Sequence, residues 1–155
     1  MTQSAALHYI GEQQNITEIL DIVEKDSIFY GQTDGGLTLS GGEPLLQKEF
    51  AMALLNEAKL RHIHCAIETT GHAPWPNLYA IAASLDYVLY DIKIIDDTLN
   101  QKWTGVSNVL ILDNLCKLAK IPPNLPLHVR TPIIPGFNDN IESINAILDF
   151  LDTLP

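Results

Sequence analysis

Gly35-Gly36-Leu37-Thr38-Leu39-Ser40-Gly41-Gly42-Glu43-Pro44 is a short β-forming run that stops on two glycines and a carboxylate. Thr38, Leu39 and their neighbours favour an extended backbone. Gly41 and Gly42 let the main chain approach whatever lies above the strand end, where a Cβ would intrude. Glu43, fixed by Pro44, is placed to accept hydrogen bonds from a ligand amine, with free glycine backbone groups beside it. The same residues also describe an ordinary strand-to-helix turn with a solvated glutamate, so the reading rests on what surrounds them.

Around this run the chain alternates strand and helix with no long linker, which predicts a single domain over residues 1–155. Thr17 is expected to cap a helix carrying Ile19, Leu20, Ile22 and Val23, with Ile16 as a hydrophobic staple. Phe50, Leu54, Leu55 and Ala58 recur at helical spacing after the first strand, Leu37 to Ser40. Ile63 to Thr69 reads as a second strand, Tyr79 to Ser84 as helix, and Tyr87 to Ile92 as a nearly continuous apolar strand. Asn108 to Ala119 is a helix with Leu112, Leu115 and Leu118 on one side, and Leu127 to Thr131 is a fourth strand. After the turn Pro135-Gly136-Phe137-Asn138-Asp139, a last helix bears Ile141, Ile144, Ile147, Leu148 and Leu151. Strands apolar on both faces, separated by amphipathic helices, predict an α/β fold with a parallel sheet covered by helices.

In a parallel sheet the strand C-termini share one rim, and polar residues recur there. Gly41-Gly42-Glu43 ends the first strand, Glu68-Thr69-Thr70-Gly71 the second, Asp91-Ile92-Lys93 the third and His128-Val129-Arg130-Thr131-Pro132 the fourth. Strand alternation sends Asp91 and Lys93 to one face, a pair suited to a ligand with both an amine and a carboxylate. The competing reading of these charges is an internal ion pair that locks the rim.

Composition removes several classes of function. Nine Lys and Arg stand against 19 Asp and Glu, a net charge of -10, so nonspecific attraction to nucleic acid or to an anionic membrane is disfavoured. No apolar run approaches a bilayer-spanning length, and Met1-Thr2-Gln3-Ser4 lacks the opening of a signal peptide, which makes the cytoplasm the default compartment. Cys65 and Cys116 are too few and too far apart for a disulfide framework or a metal knuckle. His62 and His64, on one face of a strand, do not by themselves close a zinc site. Gly31 to Gly36 lacks the dinucleotide and phosphate-loop fingerprints.

Taken in order, Thr-Leu-Ser-Gly-Gly-Glu-Pro (38–44), Tyr-Asp-Ile-Lys (90–93), Thr-Gly-Val-Ser-Asn (104–108) and Pro-Ile-Ile-Pro-Gly-Phe-Asn-Asp (132–139) resemble the radical S-adenosylmethionine (SAM) enzymes. Within them the chain resembles the glycyl-radical-enzyme activases typified by pyruvate formate-lyase activating enzyme. The resemblance runs from about Thr17 to the C-terminus. It implies a partial (β/α) TIM-like barrel of about four parallel strands in chain order with outer helices. It implies that Gly41, Gly42 and Glu43 hold the amino group of S-adenosylmethionine, that Lys93 meets its carboxylate with Asp91 beside it, and that Arg130 lies in the same cavity. Lys93 and Arg130 are thereby the candidate catalytic residues. Glu68, Thr69, Asp91 and the carbonyl of Leu89 match positions that surround a monovalent cation in the activases.

The family binds a 4Fe-4S cluster through Cys-x3-Cys-x2-Cys ahead of the Gly-Gly-Glu strand, and this chain carries no cysteine before Cys65. A cluster needs thiolate ligands, so no iron-sulfur ligand is assigned here, and neither the cluster nor S-adenosylmethionine is expected to be fully bound. The sequence is therefore expected to be an internal piece of an activase that is inactive alone. In the parent, the implied chemistry is reductive cleavage of S-adenosylmethionine followed by hydrogen abstraction from a glycine of a partner enzyme. A noncatalytic binding module and a different radical SAM reaction stay open. An incomplete barrel leaves open sheet edges, at the strands of Leu37 to Ser40 and Leu127 to Thr131, which predicts a homodimer.

Overall fold

The computed structural model describes residues 12–33, 35–121 and 125–155; the Met1 to Ser4 opening lies outside them. Its centre is a four-stranded sheet in the order β1 (Gly36–Leu39), β2 (His64–Thr69), β3 (Tyr87–Asp91) and β4 (Leu127–Arg130). All three pairings are parallel. Sequential parallel strands that sit side by side require crossovers of one hand, and these stack the helices on a single face. The helices are α1 (Ile16–Val23), α2 (Ser27–Thr33), α3 (Lys48–Leu60), α4 (Trp75–Ala82), α5 (Asp97–Thr104), α6 (Val109–Leu118) and α7 (Ile141–Leu151). The result is the expected α/β arrangement of a partial barrel.

The strand pleat separates two environments. Cys65, Ile67 and Thr69 of β2 and Val88 and Tyr90 of β3 are buried, and their apolar members pack with Leu54, Leu55, Leu78, Ile81, Leu115 and Ile147 of the helices. The alternate residues, His64, Ala66 and Glu68 with Tyr87, Leu89 and Asp91, are not buried and share the other face. The helices thus lie on one side of the sheet, as a partial barrel with outer helices requires, while the reading of the strands as apolar on both faces is corrected to one face. Among the described residues the second face is open and mixed in polarity, because the helices that pack on the sheet, α1, α3, α4, α6 and α7, go to the first.

Several local boundaries differ from the sequence reading for identifiable reasons. Asn15, not Thr17, caps α1, its side chain accepting the Glu18 N–H at 2.8 Å, and Ile16 is the first helical residue rather than a staple. In α3 the buried stripe is Ala51, Leu54, Leu55 and Ala58, while Phe50 lies one position off it and is exposed. Helix α4 begins at Trp75, earlier than Tyr79, because Pro76 suits a first turn. His62 takes a positive φ of 58° in the turn before β2, so it does not share a strand face with His64. Helices α2 and α5 are additional elements. Helix α5 is bounded by the Asp96 carboxylate, which caps Leu99 N–H at 2.8 Å, and by Gly105 at a φ of 81°.

Candidate functional site

The four strand ends meet as predicted, and their side chains form two connected groups. In the first, the Glu43 carboxylate beyond β1 reaches the end of β2. Its Oε1 accepts from Thr69 Oγ1 at 2.6 Å and Leu45 N–H at 3.2 Å, and its Oε2 from Thr70 N–H at 3.0 Å and Thr70 Oγ1 at 2.8 Å. A carboxylate offers about four lone-pair sites, and all are used. Glu43 therefore braces two strand ends together, whereas the sequence reading had its carboxylate waiting for a ligand amine. Gly41 and Gly42 beside it are exposed, and a Cβ built on either meets nothing within 4 Å. The reason for glycine at position 41 is its φ of 122°, not crowding by the chain.

The second group lies on the open face of the sheet. Arg130 at the end of β4 donates through Nε and Nη2 to Asp91 Oδ1 at 2.9 and 2.8 Å, and through Nη2 also to Glu68 Oε1. Ser40 Oγ donates to the other Glu68 oxygen at 2.8 Å. The guanidinium, first, and the serine hydroxyl, second, hold the Glu68 carboxyl below its ordinary range, and the two carboxylates raise the Arg130 pKa. Leu89 is paired with Glu68 on one side and His128 on the other, so its carbonyl belongs to the ladder. Thr69 points to the buried face and is bonded to Glu43, away from Glu68 and Asp91.

Between the strand ends and α5–α6 lies a cavity of about 200 Å³. Glu43, Thr70, His72, Asp91 and Lys93 form its polar wall; Ile94, Ile111 and Leu112 contribute apolar surface. Asp91, at the end of β3, and Lys93, two residues beyond it, both line this cavity, as do Ile92 and Ile94 between and after them. Among the described residues the Lys93 ammonium takes no part in an ion pair. Arg130 is not in the wall of this cavity and meets it through Asp91.

Buried amides that the sequence reading left out as site components set this geometry. Asn108 Nδ2 donates to the carbonyls of Ile94 and Ile95 at 2.8 and 2.9 Å. Asn138 Nδ2 donates to the Lys93 carbonyl at 2.6 Å and that of Pro132 at 3.0 Å, and its Oδ1 accepts from Ile134 N–H at 2.7 Å. Asn114 Nδ2 holds the carbonyls of Gly71 and Ala73 at 2.7 and 2.8 Å, fixing the turn that carries Thr70 and His72. Two of these asparagines, Asn108 and Asn138, belong to motifs already noted, 104–108 and 132–139, which is the available signal.

The donor set separates the two cofactors that the resemblance implies. An ammonium that is in no ion pair among the described residues and open glycine backbone on the same rim suit the amine and carboxylate of a zwitterionic ligand. A cluster is not fitted by the residues present. Cys65 is buried on the helix side of β2, where burial first and Asp86 second push its thiol up to about 11, and Cys116 sits on α6; neither lines the cavity. Among the described residues no group of three or more His, Cys, Asp and Glu could hold a metal ion.

Comparison with known proteins gives the same direction. The model of the Radical SAM superfamily matches residues 7–151. An isethionate sulfite-lyase activating enzyme of Oleidesulfovibrio alaskensis is 49% identical over 144 residues, 93% of this chain and 47% of that protein. A (2S)-3-sulfopropanediol sulfolyase activating enzyme of Bilophila wadsworthia is 49% identical over 91% of this chain and 47% of its own length. The chain thus spans about half the length of these curated relatives. A crystal structure of a domain of pyruvate-formate lyase-activating enzyme from Bacteroides vulgatus superimposes with a TM-score of 0.71 at 35% identity, covering 78% of this chain and 74% of that one. With a family model spanning nearly the whole chain and a solved activase domain sharing its sheet, this chain belongs to the radical SAM superfamily and groups there with the activating enzymes.

Proposed function

We propose that this chain supplies the strand-end rim that holds S-adenosylmethionine in a glycyl-radical-enzyme activating enzyme. The carrying observation is that Gly41 and Gly42 follow β1 at the same end of a parallel sheet as Asp91 and Lys93, which line a part-apolar cavity and of which Lys93 is in no ion pair among the described residues. In this reading the Lys93 ammonium pairs with the ligand carboxylate, and the open backbone at Gly41 and Gly42 receives the ligand amine. Asp91 lies beside Lys93 on the cavity wall. Glu43 and Asn138 act by positioning, since each holds backbone or side chains of the rim; Asn108 holds the Ile94 and Ile95 carbonyls and also lines the cavity. Bound S-adenosylmethionine would supply, on one-electron reduction by a cluster that this chain's residues do not hold, the 5'-deoxyadenosyl radical that takes a hydrogen atom from a glycine of the partner enzyme, leaving methionine. No electron-transfer step is assigned to this chain, whose cysteines do not fit the 4Fe-4S cluster of the family.

The partner enzyme is proposed to be a lyase acting on a sulfonated substrate rather than pyruvate formate-lyase, because relatives named for the former share 49% identity and the structural neighbour named for the latter 35%. A homodimer through the edges of β1 and β4, each paired on one side among the described residues, accompanies this reading. The test is a chimera in which residues 12–155 replace their counterpart in the O. alaskensis activating enzyme. Electron paramagnetic resonance should then report a glycyl radical in isethionate sulfite-lyase, and Lys93→Met should remove it. A chimera that folds and carries its cluster, yet forms no radical, overturns the proposal.

A further inference from the structure

We infer that Arg130 is the resident cation of this rim, its guanidinium taking the role that the family resemblance gives to a monovalent metal ion. The geometry leaves that ion an incomplete donor set. Each Glu68 oxygen already accepts a hydrogen bond, one from Arg130 Nη2 and the other from Ser40 Oγ at 2.8 Å. Asp91 Oδ1 receives two guanidinium N–H groups at 2.8 and 2.9 Å. The Thr69 hydroxyl, a required third donor, is on the opposite face of the strand; it donates to Glu43 at 2.6 Å and accepts the Gly71 N–H at 2.9 Å. Turning it toward Glu68 would break both bonds and reverse the pleat of β2. The carbonyl of Leu89 lies between two paired neighbours in the sheet.

Arg130 already places one positive charge between the carboxylates of Glu68 and Asp91. A guanidinium also offers several fixed N–H donors in a plane, so it bridges the ends of β2, β3 and β4 where a spherical ion has no directional preference. The inference rests on this ion geometry and not on the identity of the ligand, so failure of S-adenosylmethionine to bind leaves it standing.

The experiment is thermal unfolding of the chain in KCl, NaCl and choline chloride at equal ionic strength. The wild type should show the same midpoint in all three, to within about 1 °C on the scale where 1 kcal/mol moves a chain of this size about 2–4 °C. Arg130→Gln leaves two carboxylates facing one another across β2 and β3. It should melt lower and become selective, recovering part of the loss in KCl or NaCl but not in choline chloride. Arg130→Lys keeps a cation in place and should stay indifferent to the salt. A wild-type midpoint several degrees higher in KCl or NaCl than in choline chloride overturns the inference, as does an Arg130→Gln midpoint that is equal in all three salts. If Arg130→Gln does not fold, an Arg130→Lys protein that has become selective for KCl or NaCl overturns it, and an indifferent one supports it.

Discussion

Replacing Glu43 by glutamine tests whether this residue is a brace, because the two side chains differ by one oxygen for one amide nitrogen. Each oxygen of Glu43 accepts from a backbone N–H, Leu45 on one and Thr70 on the other, at 3.2 and 3.0 Å. Whichever way a glutamine amide is turned, its NH2 group meets one of those N–H donors. The Thr69 and Thr70 hydroxyls can reverse and accept, but a backbone N–H cannot. One hydrogen bond to a charged acceptor is therefore lost and one donor is left facing another, a cost of about 1.5–3 kcal/mol in a buried setting. Glu43 is only half-buried, so water relieves part of this and the expected loss is about 1–2 kcal/mol. For a chain of this size that is a fall in the thermal midpoint of about 2–8 °C. Circular dichroism melts of wild type and Glu43→Gln supply the measurement, with a urea titration to exclude a change in cooperativity. A midpoint within about 1 °C of wild type would show that the four bonds are dispensable and that the carboxylate is free for a ligand.

Gly71→Ala should be more damaging than Glu43→Gln. Position 71 has a φ of 68°, costing alanine about 1–2 kcal/mol, and the new Cβ would lie 1.8 Å from the Tyr90 hydroxyl, which is held by the Ile111 carbonyl at 2.7 Å. With overpacking of about 1–3 kcal/mol added, a loss of about 2–5 kcal/mol is expected in urea titration; a loss under about 1 kcal/mol would mean the turn relaxes freely. Acid titration should show stability intact above the ordinary carboxyl values of 4.5 for Glu68 and 3.8 for Asp97. Both are lowered in the folded state, by Arg130 and by the Asn108 N–H respectively, so unfolding takes up protons and stability falls as pH drops through the lowered values. Stability that rises on acidification would contradict these contacts. Thiol titration of the native chain should label Cys116 and spare Cys65 until denaturant is added, since Cys65 is buried with its thiol pushed up to about 11; equal rates for both would contradict the packing of β2.

The order of strands and helices was legible because apolar periodicity and strand-end polarity repeat along the chain. The motif 38–44 located the rim, and the motif 90–93 brought Asp91 and Lys93 to the wall of one cavity. Which partner each charge would choose was not legible. Glu43 and Thr70 lie 27 residues apart and Glu68 and Arg130 62 apart, and only the sheet register brings them together. Helix α5 escaped notice because its sequence DTLNQKWT is polar and its buried residue is Asn100, so no hydrophobic stripe marks it. The open face of the sheet was hidden for a related reason. Tyr87 and Leu89 make β3 read as apolar throughout, although they face away from the helices.

The central claim, that the strand-end rim holds S-adenosylmethionine, is tested most directly by titrating that compound into the isotope-labelled chain and following backbone amide shifts. The account predicts saturable changes at Gly41, Gly42, Thr70, His72 and Lys93, weakened in Lys93→Met. Changes centred instead at the opposite strand ends, around Gly36 and His64, or no saturable change at millimolar ligand, would contradict it.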